Sequence, residues 1–343
     1  MLTVTADWQF AMYASRSKPN ARWITSRLAD VVEAFEWWVT DSIERGATTG
    51  VIAGDLFDNR DKIEVPVLQA VAHCLRFANT RFTEGVHVLA GNHDAYLRDT
   101  SITALSMFDV GNDHNLTVHL QPTRIIIGGL SVGFVPWSDD VAQMQEGVRK
   151  VKDVDLLFGH ALLKGVAGTK GVDPDLFTSG GADMVVLGDV HDRTTIHTST
   201  GDPIQYVGAP LQLNFGDSDG DRGYMLIDDE LSETFVDNTI SPRFHRCKDR
   251  KAVKAVMDDD FVRVDFEVED GEQLFQDVSV TADYTTPKLD TELARMPELT
   301  AQNTDRDIIA TYIASDCPTM AGEELASVLT IAEQYMRGES ALH

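Results

Sequence analysis

Gly91-Asn92-His93-Asp94 follows the apolar run of residues 86–90, so an amide, an imidazole and a carboxylate succeed one another where a buried strand should yield to a loop. Three polar groups there cost free energy unless they are hydrogen-bonded or put to chemical use. The arrangement recurs. Residues 2–6 lead into Asp7-Trp8-Gln9, residues 49–53 into Gly54-Asp55-Leu56-Phe57-Asp58, residues 155–158 into Gly159-His160, and residues 184–187 into Gly188-Asp189-Val190-His191. A lone Asp7 or Asp189 would read as a turn or cap carboxylate, and a lone His160 as a packing histidine. Five such junctions in one chain point instead to a shared centre.

Collected, Asp7, Gln9, Asp55, Asn92, His93, His160, Asp189 and His191 offer carboxylate, amide and imidazole donors without a thiolate. That set suits Mn2+ or Mg2+ better than a structural zinc. Two ions fit it better than one. A carboxylate can bridge metals about 3.5–4 Å apart, which lowers the pKa of a bridging water and clamps both oxygens of a phosphoryl displacement.

The elements that must position these residues follow from periodicity. Apolar residues at Ile24, Leu28, Val31, Phe35, Trp38 and Val39 predict a helix within residues 21–45, closed by Gly46, and a second helix is expected over residues 65–79. Strand, helix, strand, helix, strand, with carboxylates at the strand ends, is the pattern of an α/β sheet whose ligands gather at the carboxyl edge. Residues 124–127 and 130–135 read as a hairpin around Gly128-Gly129, and residues 224–227 as a strand. Periodicity lapses near residues 238–250. Beyond lie a strand around residues 261–268 and helical segments near 305–314 and 323–337. The expected organisation is a domain over 1–240, a small α+β capping module over 241–318 and a helical tail over 319–343.

Composition narrows the class. At 343 residues, with 43% hydrophobic and 24% charged, the chain has the make-up of a soluble globular protein. No apolar span approaches eighteen residues, and Cys74, Cys247 and Cys317 form no Cys-x-x-Cys. A reducing cytoplasm and no membrane are expected. The net charge of -26 is harder to reconcile with a phosphate-bearing substrate, which must then be met by metals or local cations. One local run exists: Arg243, Arg246, Lys248, Arg250, Lys251 and Lys254, a candidate guide for a phosphate backbone, although such runs are commonly solvated faces. The Gly-rich stretch 164–171 lacks the context of a nucleotide P-loop.

Asp7-x-Gln9, Gly54-Asp55-x-x-Asp58, Gly91-Asn92-His93-Asp94, Gly159-His160 and Gly188-Asp189-x-His191 resemble, in order and spacing, the motifs of the calcineurin-like metallophosphoesterases over about residues 1–215. Within that superfamily, Gly54-Asp55-Leu56-Phe57-Asp58 and Tyr206-Val207-Gly208-Ala209-Pro210 with Phe215-Gly216 resemble the SbcD-type nuclease subunits of recombination and repair complexes, phage versions included. The resemblance implies a four-layered α/β sandwich. It implies one metal at Asp7, Asp55 and His191 with Gln9 nearby, and a second at Asp55, Asn92, His160 and Asp189. It makes His93 the uncoordinated imidazole that protonates the leaving oxygen, with Asp58 or Asp94 orienting it. It further implies phosphodiester hydrolysis in DNA by a metal-bridging hydroxide, an SMC-like ATPase partner, and a homodimer. In a phage-encoded chain the compartment would be the host cytoplasm. Where the family usually has His, this chain has Gln9 and Asp189, which move the site toward hard ions. A phosphatase or phosphodiesterase on a small nucleotide or phosphoprotein shares the core motifs, and a scaffold with a degenerate metal site is the third reading.

Overall fold

The computed structural model describes residues 1–13, 15–96, 102–108, 115–166, 168–217, 220–253, 256, 260–266 and 281–284. In chain order the elements are β1 (Leu2–Thr5), β2 (Pro19–Asn20), β3 (Ile24–Thr25), α1 (Ser26–Glu44), β4 (Thr49–Ile52), α2 (Val65–Asn79), β5 (Gly85–Leu89), β6 (Leu116–His119), β7 (Thr123–Ile127) and β8 (Leu130–Val135). They continue with α3 (Val141–Lys150), β9 (Leu156–His160), α4 (Asp175–Thr178), β10 (Met184–Gly188), β11 (Thr194–His197), β12 (Pro203–Tyr206), β13 (Gly223–Ile227), β14 (Glu233–Asp237), β15 (Phe244–Cys247), α5 (Arg250–Val253), β16 (Phe261–Val264) and β17 (Thr281–Tyr284).

Two six-stranded sheets result, ordered β14-β13-β1-β4-β5-β6 and β11-β12-β10-β9-β8-β7. Their inner faces share one core: Leu2, Val4, Val51 and Leu89 of the first meet Val132, Phe134, Phe158 and Val186 of the second. The outer face of the first sheet packs on α1 and α2 through Val86, Val88, Leu28, Phe35, Val71 and Leu75. That of the second packs on α3 and α4 through Leu157, Val185, Val148 and Phe177. Helix, sheet, sheet, helix is the four-layered α/β arrangement.

Helix α1 begins at Ser26 rather than near residue 21 because Thr25 caps it, its hydroxyl accepting from Leu28 N–H at 3.2 Å. Trp8, Phe35 and Trp38 cluster beneath, and the two buried indole N–H groups are satisfied by Thr5 and Thr3 hydroxyls, each at 2.8 Å. Within β1, β4 and β5, and within β8, β9 and β10, neighbouring strands run parallel. All six therefore end at the same edge of their sheets, which is where the five sequence junctions lie.

The described residues up to Asp265 belong to one compact unit. In it β15 and β16 pair in parallel, and Phe244 packs edge-on against Phe215 at 5.0 Å. The expected helical segments near 305–314 and 323–337, and with them the tail, lie outside the described residues. Among the described residues no helix is long and apolar enough to cross a membrane.

Candidate metal centre

The backbone at the strand ends is bent to purpose. Of the nine non-glycine residues with positive φ among the described residues, four are Asp7 (55°), Gln9 (45°), Asp55 (54°) and Asp189 (97°). Each left-handed residue costs about 1 kcal/mol, and such strain concentrated at one place points to function. Hydrogen bonds hold it: Asp7 N–H donates to the Gly54 carbonyl and Gln9 N–H to the Asp55 carbonyl, each at 3.0 Å, and Asp189 N–H to the Asp7 carboxylate at 3.1 Å. Two glycines make room. A Cβ on Gly91 would stand 2.1 Å from Asp55 Oδ1, and one on Gly54 2.1 Å from His160 Nδ1.

Around His160 the side chains converge. Its Nδ1 lies 2.8 Å from the Ala53 carbonyl, which can only accept, so Nδ1 carries a proton and Nε2 is the ring atom that faces the cleft. Within reach of that Nε2 stand Asn92 Oδ1 at 2.9 Å, Asp55 Oδ1 at 3.3 Å and Asp189 Oδ1 at 3.6 Å. Asp7, Asp55 and His160, all buried, bring ligand atoms within 4.8 Å of one another. Burial pushes the Asp7 carboxyl up to about 7. Burial opposes the His160 cation as well, yet the Asp55 charge and bonds to Asp189 and Asp55 hold this imidazole well above its ordinary value. The cluster therefore competes for positive charge, and its hard oxygens and single imidazole nitrogen fit a divalent cation.

His191 and His93 repeat the device. His191 Nδ1 donates to Asp217 Oδ1 at 3.1 Å, and His93 Nδ1 to the main-chain carbonyl of Asp58 at 2.5 Å, which leaves Nε2 of each ring for other work. His93 N–H also donates to Asp55 Oδ1 at 2.8 Å.

Of the two aspartates expected to orient His93, one contacts it. Asp58 reaches His93 through its carbonyl, not its carboxylate. The buried Asp94 carboxylate accepts from the Gly91, Phe57 and Leu56 N–H groups at 2.9, 3.1 and 3.4 Å, tying two ligand loops together rather than touching His93. Three main-chain donors outcompete one imidazole for a buried carboxylate; burial, with Asp55 adding, pushes it up to about 7. Gln9 is drawn to the centre by its main chain, and its own carbonyl accepts from the Tyr13 hydroxyl.

Asp217 and Arg222 escaped the sequence reading. Asp217 also accepts from Leu213 N–H at 2.9 Å and Asn214 N–H at 3.1 Å. The buried Arg222 guanidinium grips the His191 carbonyl at 2.7 Å, the Asp217 carbonyl at 2.9 Å and the Asp192 carboxylate at 2.7 Å. The one sequence signal was position: Asp217 directly follows Phe215-Gly216. The basic run starts at Arg243, just before β15, and continues into α5, with Arg243, Arg246, Lys248, Arg250 and Lys251 exposed and Lys254 outside the described residues.

Known proteins can be set beside this geometry. Residues 2–193 match the calcineurin-like phosphoesterase family. The chain is 25% identical over 251 residues to exonuclease subunit 1 of Enterobacteria phage T4, covering 70% of this chain and 68% of that one. It is 25% identical over 222 residues to the DNA double-strand break repair protein Mre11 of Methanopyrus kandleri, covering 58% of this chain and 48% of that one, so about half of that relative is spanned. Among solved structures, TT1561 of Thermus thermophilus superposes with a TM-score of 0.44 at 12% identity over 69% of this chain and 97% of its own. With the family match running from β1 past His191, the chain belongs to the calcineurin-like phosphoesterases, hydrolases that use divalent metals.

Proposed function

We propose that the protein is a divalent-metal-dependent nuclease subunit that hydrolyses DNA phosphodiesters in recombination, replication or repair, alongside an SMC-like ATPase. The observation that carries the reading is the shared anchoring of three histidines through Nδ1 around one carboxylate-amide cluster. Two similar proteins are named for exonuclease and double-strand break repair roles, which supports DNA over other phosphoesters.

His160, Asn92, Asp189 and Asp55 would hold one ion, and Asp55, Asp7 and His191, with Gln9 beside them, the other. Bound Mn2+ or Mg2+ supplies Lewis acidity: it activates water and neutralises the phosphoryl oxygens. The chain's own residues do the rest. Asp55 serves both sides, with one oxygen against His160 and His93 N–H. His93, fixed through Nδ1, carries at Nε2 the proton that the leaving oxygen takes up as its bond to phosphorus breaks. The capping module over 241–318, the partner-binding tail over 319–343, a homodimer and a backbone-guiding role for Arg243, Arg246, Lys248, Arg250 and Lys251 belong to the same proposal. Replacing these five exposed cations by Ser should lower DNA affinity and its salt dependence.

The net charge of -26 favours one competitor, a phosphodiesterase on a small nucleotide. Hydrolysis of linear duplex and single-stranded DNA, measured with Mn2+ beside a chromogenic phosphodiester, separates the two. DNA cleavage abolished by His93→Ala is expected. Activity on the small ester alone would sink the nuclease reading.

A further inference from the structure

Besides β12, which pairs in parallel with β10, one more parallel strand lies at the other flank of each set that carries the centre: β6 beyond β5, and β8 beyond β9. The segments that follow them, Leu120-Gln121-Pro122 and Pro136-Trp137-Ser138, wall a cleft of about 440 Å³ completed by α3. The metal centre and this cleft thus occupy successive places along the same carboxyl edge. They are also laced together: Trp137 N–H donates to the Ala90 carbonyl at 3.0 Å, and Ala90 N–H to the His119 carbonyl at 3.3 Å. Ala90 precedes Asn92 by two residues, a span of about 7 Å in extended chain.

The lining selects against phosphate. Asp140 and Glu146 face a single Lys150 there, so an anion meets net repulsion. A flat neutral heterocycle meets something else: the half-buried Trp137 indole and the amides of Gln121 and Gln143. The Ser138 hydroxyl donates to Gln143 Oε1 at 3.3 Å, and the Asp140 carboxylate is engaged in capping α3 through Ala142 N–H at 2.8 Å. The Ser138 bond orients the Gln143 amide, whose N–H groups suit the edge of a base.

We propose that this cleft is a nucleobase subsite, which stacks the base of a nucleotide adjoining the scissile phosphate on Trp137 and reads its edge with Gln121 and Gln143. The proposal rests on the phosphodiester hydrolysis proposed above and adds a means of holding substrate that an acidic chain can use, since stacking needs no cation.

The test is steady-state hydrolysis with Mn2+ by the full chain on a single-stranded oligodeoxynucleotide, on its counterpart with abasic sugars, and on a dinucleoside phosphate. Trp137→Ala should lower kcat/KM on the base-bearing strand about tenfold, chiefly through KM, relative to its own value on the abasic strand. Trp137→Phe should recover most of the loss. Unchanged Mn2+ stoichiometry by calorimetry certifies each variant as folded. Equal effects on base-bearing and abasic strands, or none on either, overturn the subsite. Wild-type DNA cleavage indifferent to Trp137 removes the subsite and leaves the nuclease reading standing. Trp137-dependent cleavage of the dinucleoside phosphate, with no DNA cleavage, does the reverse. Inactivity of the wild type on all three removes both.

Discussion

The two sides of the centre are held by different means. On one side, His160 lies within β9, fully buried, and its Nδ1 is fixed by the main chain of Ala53 at the end of β4. On the other, His191 lies beyond β10, its side chain 24% exposed, fixed by the carboxylate of Asp217, itself held by loop amides and a buried arginine. Sheet backbone moves little, and the carbonyl it presents cannot be mutated away. A side chain on a loop can be changed without unmaking the sheets, so the His191 side is where affinity is adjustable.

In the proposed two-ion arrangement Asp55 would serve both sides, and its loss should erase the difference between them. Asp55→Asn keeps the shape but removes the charge and half of the acceptor capacity beside His160 and His93 N–H. We expect hydrolysis to fall on the order of a thousandfold and Mn2+ uptake to drop on both sides. A calorimetric titration that still shows full-affinity binding of two ions would refute the shared role.

Asp217→Asn should separate the sides. An amide can turn its nitrogen toward Nδ1 and offers no charge to hold the ring. The expectation is a loss of about 10–100-fold in affinity at one of the two proposed metal positions, with the other unmoved. If both weaken together, the centre is one cooperative unit and the contrast drawn above fails.

How far the sequence revealed this contrast follows from where each side is built. The candidate ligands at strand ends were legible because a strand buried on both faces is a short continuous apolar run with an abrupt end, so a polar residue at that end is conspicuous, as at Asp55, Asn92 and His160. Asp217 and Arg222 sit in loops, where an aspartate or arginine carries no periodic signal, and their partners are 26 and 31 residues away. The helix over residues 65–79 was also plain, with Pro66 in its first turn. For Asp94 the resemblance left open a role in orienting His93, whereas its carboxylate turns back to the main chain at Gly91.

Acid should break the sheet-held side first. His87 on β5 and His119 on β6 meet at 3.1 Å, with His119 stacked 3.9 Å from Phe134, beside the strand that delivers Asn92. Burial lowers His87 to about 4 and His119 to about 3, the latter helped by His87. Both rings are neutral in the fold and would take up protons near the ordinary 6.5 when unfolded. Stability from this pair is therefore complete above about pH 6.5 and declines as pH falls toward 4, by about 1.4 kcal/mol per unit for each ring. Asp7 and Asp94, raised by burial, pull the opposite way below pH 7. The informative quantity is thus the difference in melting temperature between wild type and a His87→Phe, His119→Leu double variant from pH 7 to 5. A pH-independent difference would contradict the assignment.

The smallest change should sharpen the comparison from the loop-held side. Gln9 lies at the end of a strained turn, its N–H on Asp55 and its carbonyl on Tyr13, so the backbone there is already committed and a new side chain inherits the same position. Gln9→His substitutes an imidazole nitrogen for an amide oxygen without altering charge at neutral pH. Imidazole favours Mn2+ over Mg2+, because the softer ion gains more from nitrogen than the harder one. The ratio of Mn2+- to Mg2+-supported activity should rise several-fold, with little change in melting temperature, and the titration should assign the gain to the position weakened by Asp217→Asn. A gain at the other position would place Gln9 on the His160 side, and the division of the centre into a sheet-held and a loop-held half would have to be redrawn through Asp7.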